Sequence, residues 1–381
     1  MDKRSQTYLD HNASSPLLPA ARTALIDALE MTGNPSSVHR HGRALREVIE
    51  AGRDWVAEQA GTEPERVIFT GSGTEALTQG IVATARAGLA DRIVISTGEH
   101  QASLKAAEAA GVPATTVGLT PAGEIDLAGF GAILTGAGSD RLLIALHQVN
   151  NETGVVQPLA EIEAMLAATP HILLVDAVQG FGKLDTNFDA SRADMLAISA
   201  HKIGGPAGIG ALIVKDRFDT VRLIPGGGQQ QGRRGGTEPA ALAAAFGVAA
   251  RAARTIFDLE KLRGFTARIE AIVMARVPGA VVFGRAAKRL GTTVNFAIPG
   301  LASATALIGF DLAGVSISAG SACSSGKMAK SHVLKAMGVD HTLAGSAVRV
   351  STGWSTTGAD IDHFAAALDE VMARHEAAAA A

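Results

Sequence analysis

The feature that most constrains the fold is a series of short, nearly unbroken apolar runs, each separated from the next by a stretch suited to a helix. Residues 66–70 (RVIFT), 92–96 (RIVIS), 142–146 (LLIAL), 172–176 (ILLVD), 194–199 (DMLAIS) and 210–214 (GALIV) read as strands. Their hydrophobicity does not alternate, so both faces of the sheet they form must be covered. Segments 44–60, 74–86, 102–110 and 159–168 have helical composition and supply that cover. The alternation predicts an α/β, doubly wound architecture.

Past residue 255 the rhythm changes. A helical stretch over 256–276 is followed by strand-like runs at 280–283, 292–298, 315–318 and 348–351, then by a closing helix over 361–375. A smaller α+β unit is expected here, with the Ala-rich tail after Glu376 frayed. A chain of 381 residues exceeds one small core. The reading is therefore a large domain over 1–255 and a small C-terminal domain over 256–381.

Charge narrows the functions. With 34 basic and 37 acidic side chains, the net charge of -3 supports neither a nucleic-acid surface nor a polybasic membrane contact. No apolar run of signal-peptide length follows Met1, and the run 240–250 ends at Arg251, too short to cross a bilayer. A cytoplasmic protein with no nucleic-acid and no membrane partner is expected.

The residues that carry chemistry sit where strands end. Lys202 follows the strand ending at Ser199, within Ser199-Ala200-His201-Lys202-Ile203-Gly204-Gly205-Pro206. Open α/β sheets place ligands at the carboxyl ends of their strands, and glycines let backbone approach a ligand closely. A solvated lysine in a surface turn is the plainer alternative. Asp176 closes another apolar strand, ahead of Ala177-Val178-Gln179. It caps the next helix or serves as a buried acid. A pyridoxal ring requires such an acid beside its nitrogen, because the charged pyridinium is what makes the ring an electron sink. The turn Gly71-Ser72-Gly73-Thr74 lies between a strand and a helix, which suits a phosphate dianion. His100, in Gly98-Glu99-His100, either lies over the ring or is a surface histidine.

The chain has one cysteine, so an intrachain disulfide is excluded. A lone cysteine is usually a small buried apolar residue. Cys323, however, stands in Ser318-Ala319-Gly320-Ser321-Ala322-Cys323-Ser324-Ser325-Gly326-Lys327, where small and polar neighbours leave little to bury. An exposed loop with a thiol free to react is expected, with Lys327 or His332 as a source of activation.

Taken together these segments resemble cysteine desulfurases of the class V aminotransferase family, fold type I, specifically the group with a Gly-Ser-Ala-Cys loop. The resemblance covers nearly the whole chain. It runs from Tyr8-Leu9-Asp10-His11-Asn12-Ala13 and Gly33-Asn34-Pro35 through Asn150-Asn151-Glu152-Thr153-Gly154 to Arg234-Gly235-Gly236-Thr237 and Val348-Arg349-Val350-Ser351. It implies a mostly parallel seven-stranded sheet in the large domain, with the N-terminal segment contributing to the small one. It implies pyridoxal 5'-phosphate as cofactor, carried on Lys202. Gly73, Thr74, Ser199 and His201 would hold the phosphate, joined by Thr237 from the second subunit of a homodimer. Asp176 would face the ring nitrogen, Gln179 and Asn151 the phenolic oxygen, and His100 would stack on the ring. Arg349 would grip the substrate carboxylate, with Asn34 and Asn151 nearby.

The activity implied is removal of sulfur from L-cysteine, giving L-alanine and a persulfide on Cys323. That sulfur would pass to a sulfur-acceptor or iron–sulfur scaffold protein. No metal belongs to the cofactor site, though Cys323 is placed to contact an iron–sulfur cluster transiently. Ala13-Ser14-Ser15 stands where the family often has Ala-Thr-Thr, and the basic run Gly326-Lys327-Met328-Ala329-Lys330 leaves the acceptor open. The competing readings are a selenocysteine lyase, an aminotransferase or β-eliminating lyase on the same scaffold, and an inactive scaffold protein.

Overall fold

The computed structural model describes residues 6–320 and 331–380. Twelve strands occur among them: β1 (Thr7–Tyr8), β2 (Val67–Thr70), β3 (Arg92–Ser96), β4 (Ala114–Val117), β5 (Leu142–His147), β6 (Ile172–Asp176), β7 (Met195–Ser199), β8 (Gly210–Val214), β9 (Val281–Val282), β10 (Thr293–Ala297), β11 (Val315–Ser316) and β12 (Ala347–Ser351). β2 to β8 form a seven-stranded sheet in the order β2-β8-β7-β6-β5-β3-β4. Only β8 runs antiparallel to its neighbours. The remaining pairs are parallel, so the carboxyl ends of β3, β5, β6 and β7 share one edge.

The apolar runs do not alternate because successive residues serve two cores. Val94, Ile144, Leu146, Leu173, Val175, Leu196 and Ile198 face one side. Ile93, Ile95, Leu143, Ala145, Leu174, Met195 and Ala197 face the other. The first side is covered by helices α1 (Pro19–Leu29), α2 (Arg40–Ala60) and Ala240–Ile256. α2 and Ala240–Ile256 touch backbone to backbone: a Cβ on Gly247 would stand 2.6 Å from the Gly52 Cα. The apolar stretch 240–250 is thus a helix packed within the protein. Among the described residues no single helix is long and apolar enough to cross a membrane.

A third core lies apart, built by β10, β12 and the helices Leu259–Arg276, Ser303–Leu312 and Gly358–Ala380. β10 pairs antiparallel with β12 and β9, while β1 pairs parallel with β11, so Leu9 enters this third core. The helix expected over 256–276 begins at Leu259, bent by 72° from its predecessor. Asp258 starts it afresh, its carboxylate accepting the Lys261 N–H at 3.0 Å. The tail expected to fray is instead helical to Ala380, in keeping with alanine's high helix propensity. β4 had no counterpart in the sequence reading. It is an edge strand of polar, partly exposed composition (ATTV), so it lacks the apolar run that marked the others.

Candidate active site

A cavity of about 310 Å³ opens at the carboxyl edge of the large sheet. Its wall includes Gly73, Thr74, His100, Asn151, Asp176, Gln179, Ser199, His201, Lys202 and Arg349, residues drawn from five separate strand ends and from β12. Asn34 and Thr237 are exposed and do not line it. The Asn34 side chain instead accepts the Ser36 N–H at 2.8 Å. Cys323 lies outside the described residues.

Lys202 leaves β7 through one turn of 3₁₀ helix, Ala200–Lys202. Its Nζ donates to the carbonyls of Asn12 (2.5 Å) and Ala13 (2.9 Å). The Asn12 carbonyl also accepts from Gln179 Nε2 at 3.0 Å. The Asn12 side chain donates to the Asn151 carbonyl (3.0 Å) and to Thr293 Oγ1 (2.8 Å). Asn12 therefore joins the lysine, the Gln179 wall and the third core, a role the sequence reading missed.

Asp176, one strand over, is 7% exposed. Oδ1 accepts the Val178 N–H at 2.9 Å, but burial outweighs that bond and pushes the carboxyl up to about 6, with the Glu99 charge adding to the effect. His100 caps the helix Gln101–Ala109 by accepting the Ala102 N–H at 3.1 Å. Burial, then the Lys202 charge, lowers its pKa to about 4, and the same two causes lower His201 to about 4. Both rings are neutral at pH 7. Behind Asp176 stands a pair that the strand pattern did not reveal. His147, last residue of β5, sits beside Asp176 in the sheet and places Nδ1 2.6 Å from Glu99 Oε1. Burial pulls this imidazole down, yet the Glu99 charge and hydrogen bond hold it above its ordinary value.

The phosphate-like turn is held rigidly. Ser72 Oγ accepts the Glu75 N–H (3.1 Å) at the start of helix α3 (Gly73–Thr78). Glu75 in turn accepts the Gly71 N–H (2.8 Å) and a two-pronged pair from Arg234 at 2.7 and 3.0 Å. Across the cavity Arg349 is 2% exposed, donating to Asp10 Oδ1 (2.7 Å) and to the Asn151 carbonyl (3.0 Å). Its Nε has no partner among the described residues. A guanidinium in the wall of a cavity suits a carboxylate ligand.

With this geometry the comparisons are decisive. The aminotransferase class-V family model matches residues 7–364. The chain belongs to that family. A cysteine desulfurase of Trichormus variabilis is 35% identical over 376 residues, covering 97% of this chain and 94% of that protein. A NifS-like protein from Rickettsia africae superposes with a TM-score of 0.87 at 30% identity, covering 97% of this chain and 99% of the other. The structure of SspA in complex with cysteine gives 0.79 at 29% identity, covering 92% and 100%. The fold is that of fold-type I transferases, and class-V aminotransferases are pyridoxal-phosphate-dependent enzymes.

The residues present fit that cofactor. A cationic ring nitrogen beside Asp176 would offset the desolvation that burdens this carboxylate. The capped turn at Ser72 offers N–H donors of a helix start, and Lys202 supplies the amine.

Proposed function

We propose that this chain is a cysteine desulfurase that takes sulfur from L-cysteine, releases L-alanine and retains the sulfur as a persulfide on Cys323. The observation that carries the reading is the juxtaposition, in one cavity wall, of Lys202, the desolvated Asp176 and Arg349. The names of its relatives support the same activity. Lys202, Gly73, Thr74, Ser199 and His201 would hold pyridoxal phosphate, which would supply an electron sink. Asp176 would face the ring nitrogen and keep it protonated, Gln179 and Asn151 would lie toward the phenolic oxygen, and neutral His100 would cover the ring. Arg349, braced by Asp10, would bind the substrate carboxylate. The Lys202 amine would move the α-proton of the substrate.

At the sulfur, the balance is simple. The Cβ–S bond of cysteine breaks, an S–S bond forms at the Cys323 thiolate, and the former Cβ takes up a proton to become the methyl of alanine. No outside oxidant or reductant is needed. Residues 1–255 form the cofactor-binding unit and 256–381 the unit that carries Cys323, with β1 lent to the second. The separate third core supports that division. The working form is a cytoplasmic homodimer in which Thr237 reaches the other subunit's phosphate, and the persulfide passes to a sulfur acceptor such as an iron–sulfur scaffold protein. The exposure of Thr237 in the single chain supports the exchange.

The test is turnover of L-cysteine by the cofactor-loaded protein and by Cys323→Ser. The variant is expected to keep the visible absorbance of the cofactor and to lose sulfide and alanine production by about 100-fold or more. Pyruvate as the product, or undiminished turnover in Cys323→Ser, would favour a β-eliminating lyase instead.

A further inference from the structure

The residues on either side of 321–330, Gly320 and Ser331, converge on one buried carboxylate. On the entering side, Ser318 and Arg349 exchange backbone hydrogen bonds at 3.0 and 2.6 Å. Gly320 then lies so close to Glu152 that a Cβ there would stand 2.4 Å from Oε2. On the leaving side, Ser331 Oγ donates to the same Oε2 at 2.5 Å and accepts the Leu334 N–H at 3.0 Å. His332 follows, with Nε2 2.8 Å from the Glu99 carbonyl.

Glu152 is itself fixed. It is 2% exposed, its N–H donates to Asn150 Oδ1 (2.9 Å), and its carbonyl accepts from Asn295 Nδ2 (3.2 Å). The preceding residue, Asn151, lines the cavity and takes hydrogen bonds from Asn12 and Arg349 on its carbonyl. Burial pushes the Glu152 carboxyl up, against the Ser331 bond and the His332 and Arg349 charges. A leucine would bury here without that penalty but could not accept the Ser331 hydrogen bond.

We infer that Glu152 is a positioning residue that packs against Gly320 and holds Ser331 by a hydrogen bond, so that the two residues flanking 321–330 sit beside the Asn151 and Arg349 backbone of the cavity wall. Cys323 lies three positions after Gly320, and three residues of chain span at most about 11 Å. The placement of Gly320 therefore limits where the thiol can go. This inference rests on the reading of Cys323 as the sulfur acceptor, and it assigns Glu152 to the sulfur-transfer half of the reaction rather than to cofactor binding.

The experiment compares full-length, cofactor-loaded wild type with Glu152→Ala, Glu152→Gln and Ser331→Ala. In Glu152→Ala and Ser331→Ala, the absorbance change on mixing with L-cysteine should keep its wild-type rate within about twofold, while alanine release slows at least about tenfold. Glu152→Gln, whose amide oxygen can still accept from Ser331, should recover most of the loss. Amide hydrogen exchange at 318–320 and 332–334 should accelerate by about tenfold or more in Glu152→Ala, with β6 and β7 unaffected.

Equal slowing of the absorbance change and of alanine release would overturn the assignment, as would wild-type exchange at both flanks. Ser331→Ala carries the test should Glu152→Ala not fold. A wild type that makes no alanine would sink the desulfurase reading alone, because hydrogen exchange still decides whether Glu152 holds the flanks.

Discussion

Asp176 carries the sharpest consequence at the scale of single residues. Burial holds its carboxyl at about 6 in the cofactor-free fold, against an ordinary value of 3.8. A folded-state pKa raised in this way means that ionisation favours the unfolded chain. The penalty is absent below pH 3.8, grows through the window from 3.8 to 6 and is constant above it. Its full size is about 3 kcal/mol. Urea unfolding of cofactor-free wild type and Asp176→Asn across that window should show the variant gaining on wild type as pH rises, then holding its advantage. Parallel stability curves would contradict the assignment. Cofactor binding should erase the difference or reverse it, since the ionised carboxylate then gains a cation. Lys202, Asp176 and Arg349 were legible in the sequence because each stands at the end of an apolar strand or in a strand of the family pattern. Asn12, His147 and Glu152 were not singled out, since nothing in their neighbours' composition distinguishes a hydrogen-bond hub from an ordinary polar residue. Their roles arise from partners more than 40 residues away, such as Glu99 for His147.

Among the elements, the strands that bear the site were visible because burial on both faces removes polar residues from them. β4 escaped because it is polar and partly exposed, so it carries no apolar run. The bend at 257–258 escaped for a different reason: the apolar pattern runs through it, and only the Asp258 cap marks the restart. The turn that is assigned the phosphate depends on a contact between elements. A Cβ on Gly210, at the start of β8, would stand 2.6 Å from the Ser72 carbonyl carbon and 2.7 Å from the Gly73 nitrogen. Both are backbone atoms and cannot rotate aside. Gly210→Ala should therefore push the turn outward, destabilising the fold by about 1–3 kcal/mol and weakening pyridoxal-phosphate retention on dialysis. Retention equal to wild type would show that the turn does not hold the phosphate.

For the molecule as a whole, the role proposed for Thr237 is what calls for a second subunit. Thr237 is exposed and away from its own chain's cavity, so a role at the phosphate requires a second subunit. Light scattering should give twice the chain mass, and Thr237→Ala should weaken cofactor retention without dissociating the dimer. A monomer that retains cofactor fully would contradict the exchange. The most direct test of the central claim is the intact mass of the cofactor-loaded protein after one brief exposure to L-cysteine, with free alanine counted in parallel. The account predicts a chain heavier by one sulfur atom, the addition mapping to Cys323, and one alanine per sulfur retained. Alanine formed with Cys323 unmodified, or sulfur retained equally by Cys323→Ser, would contradict it.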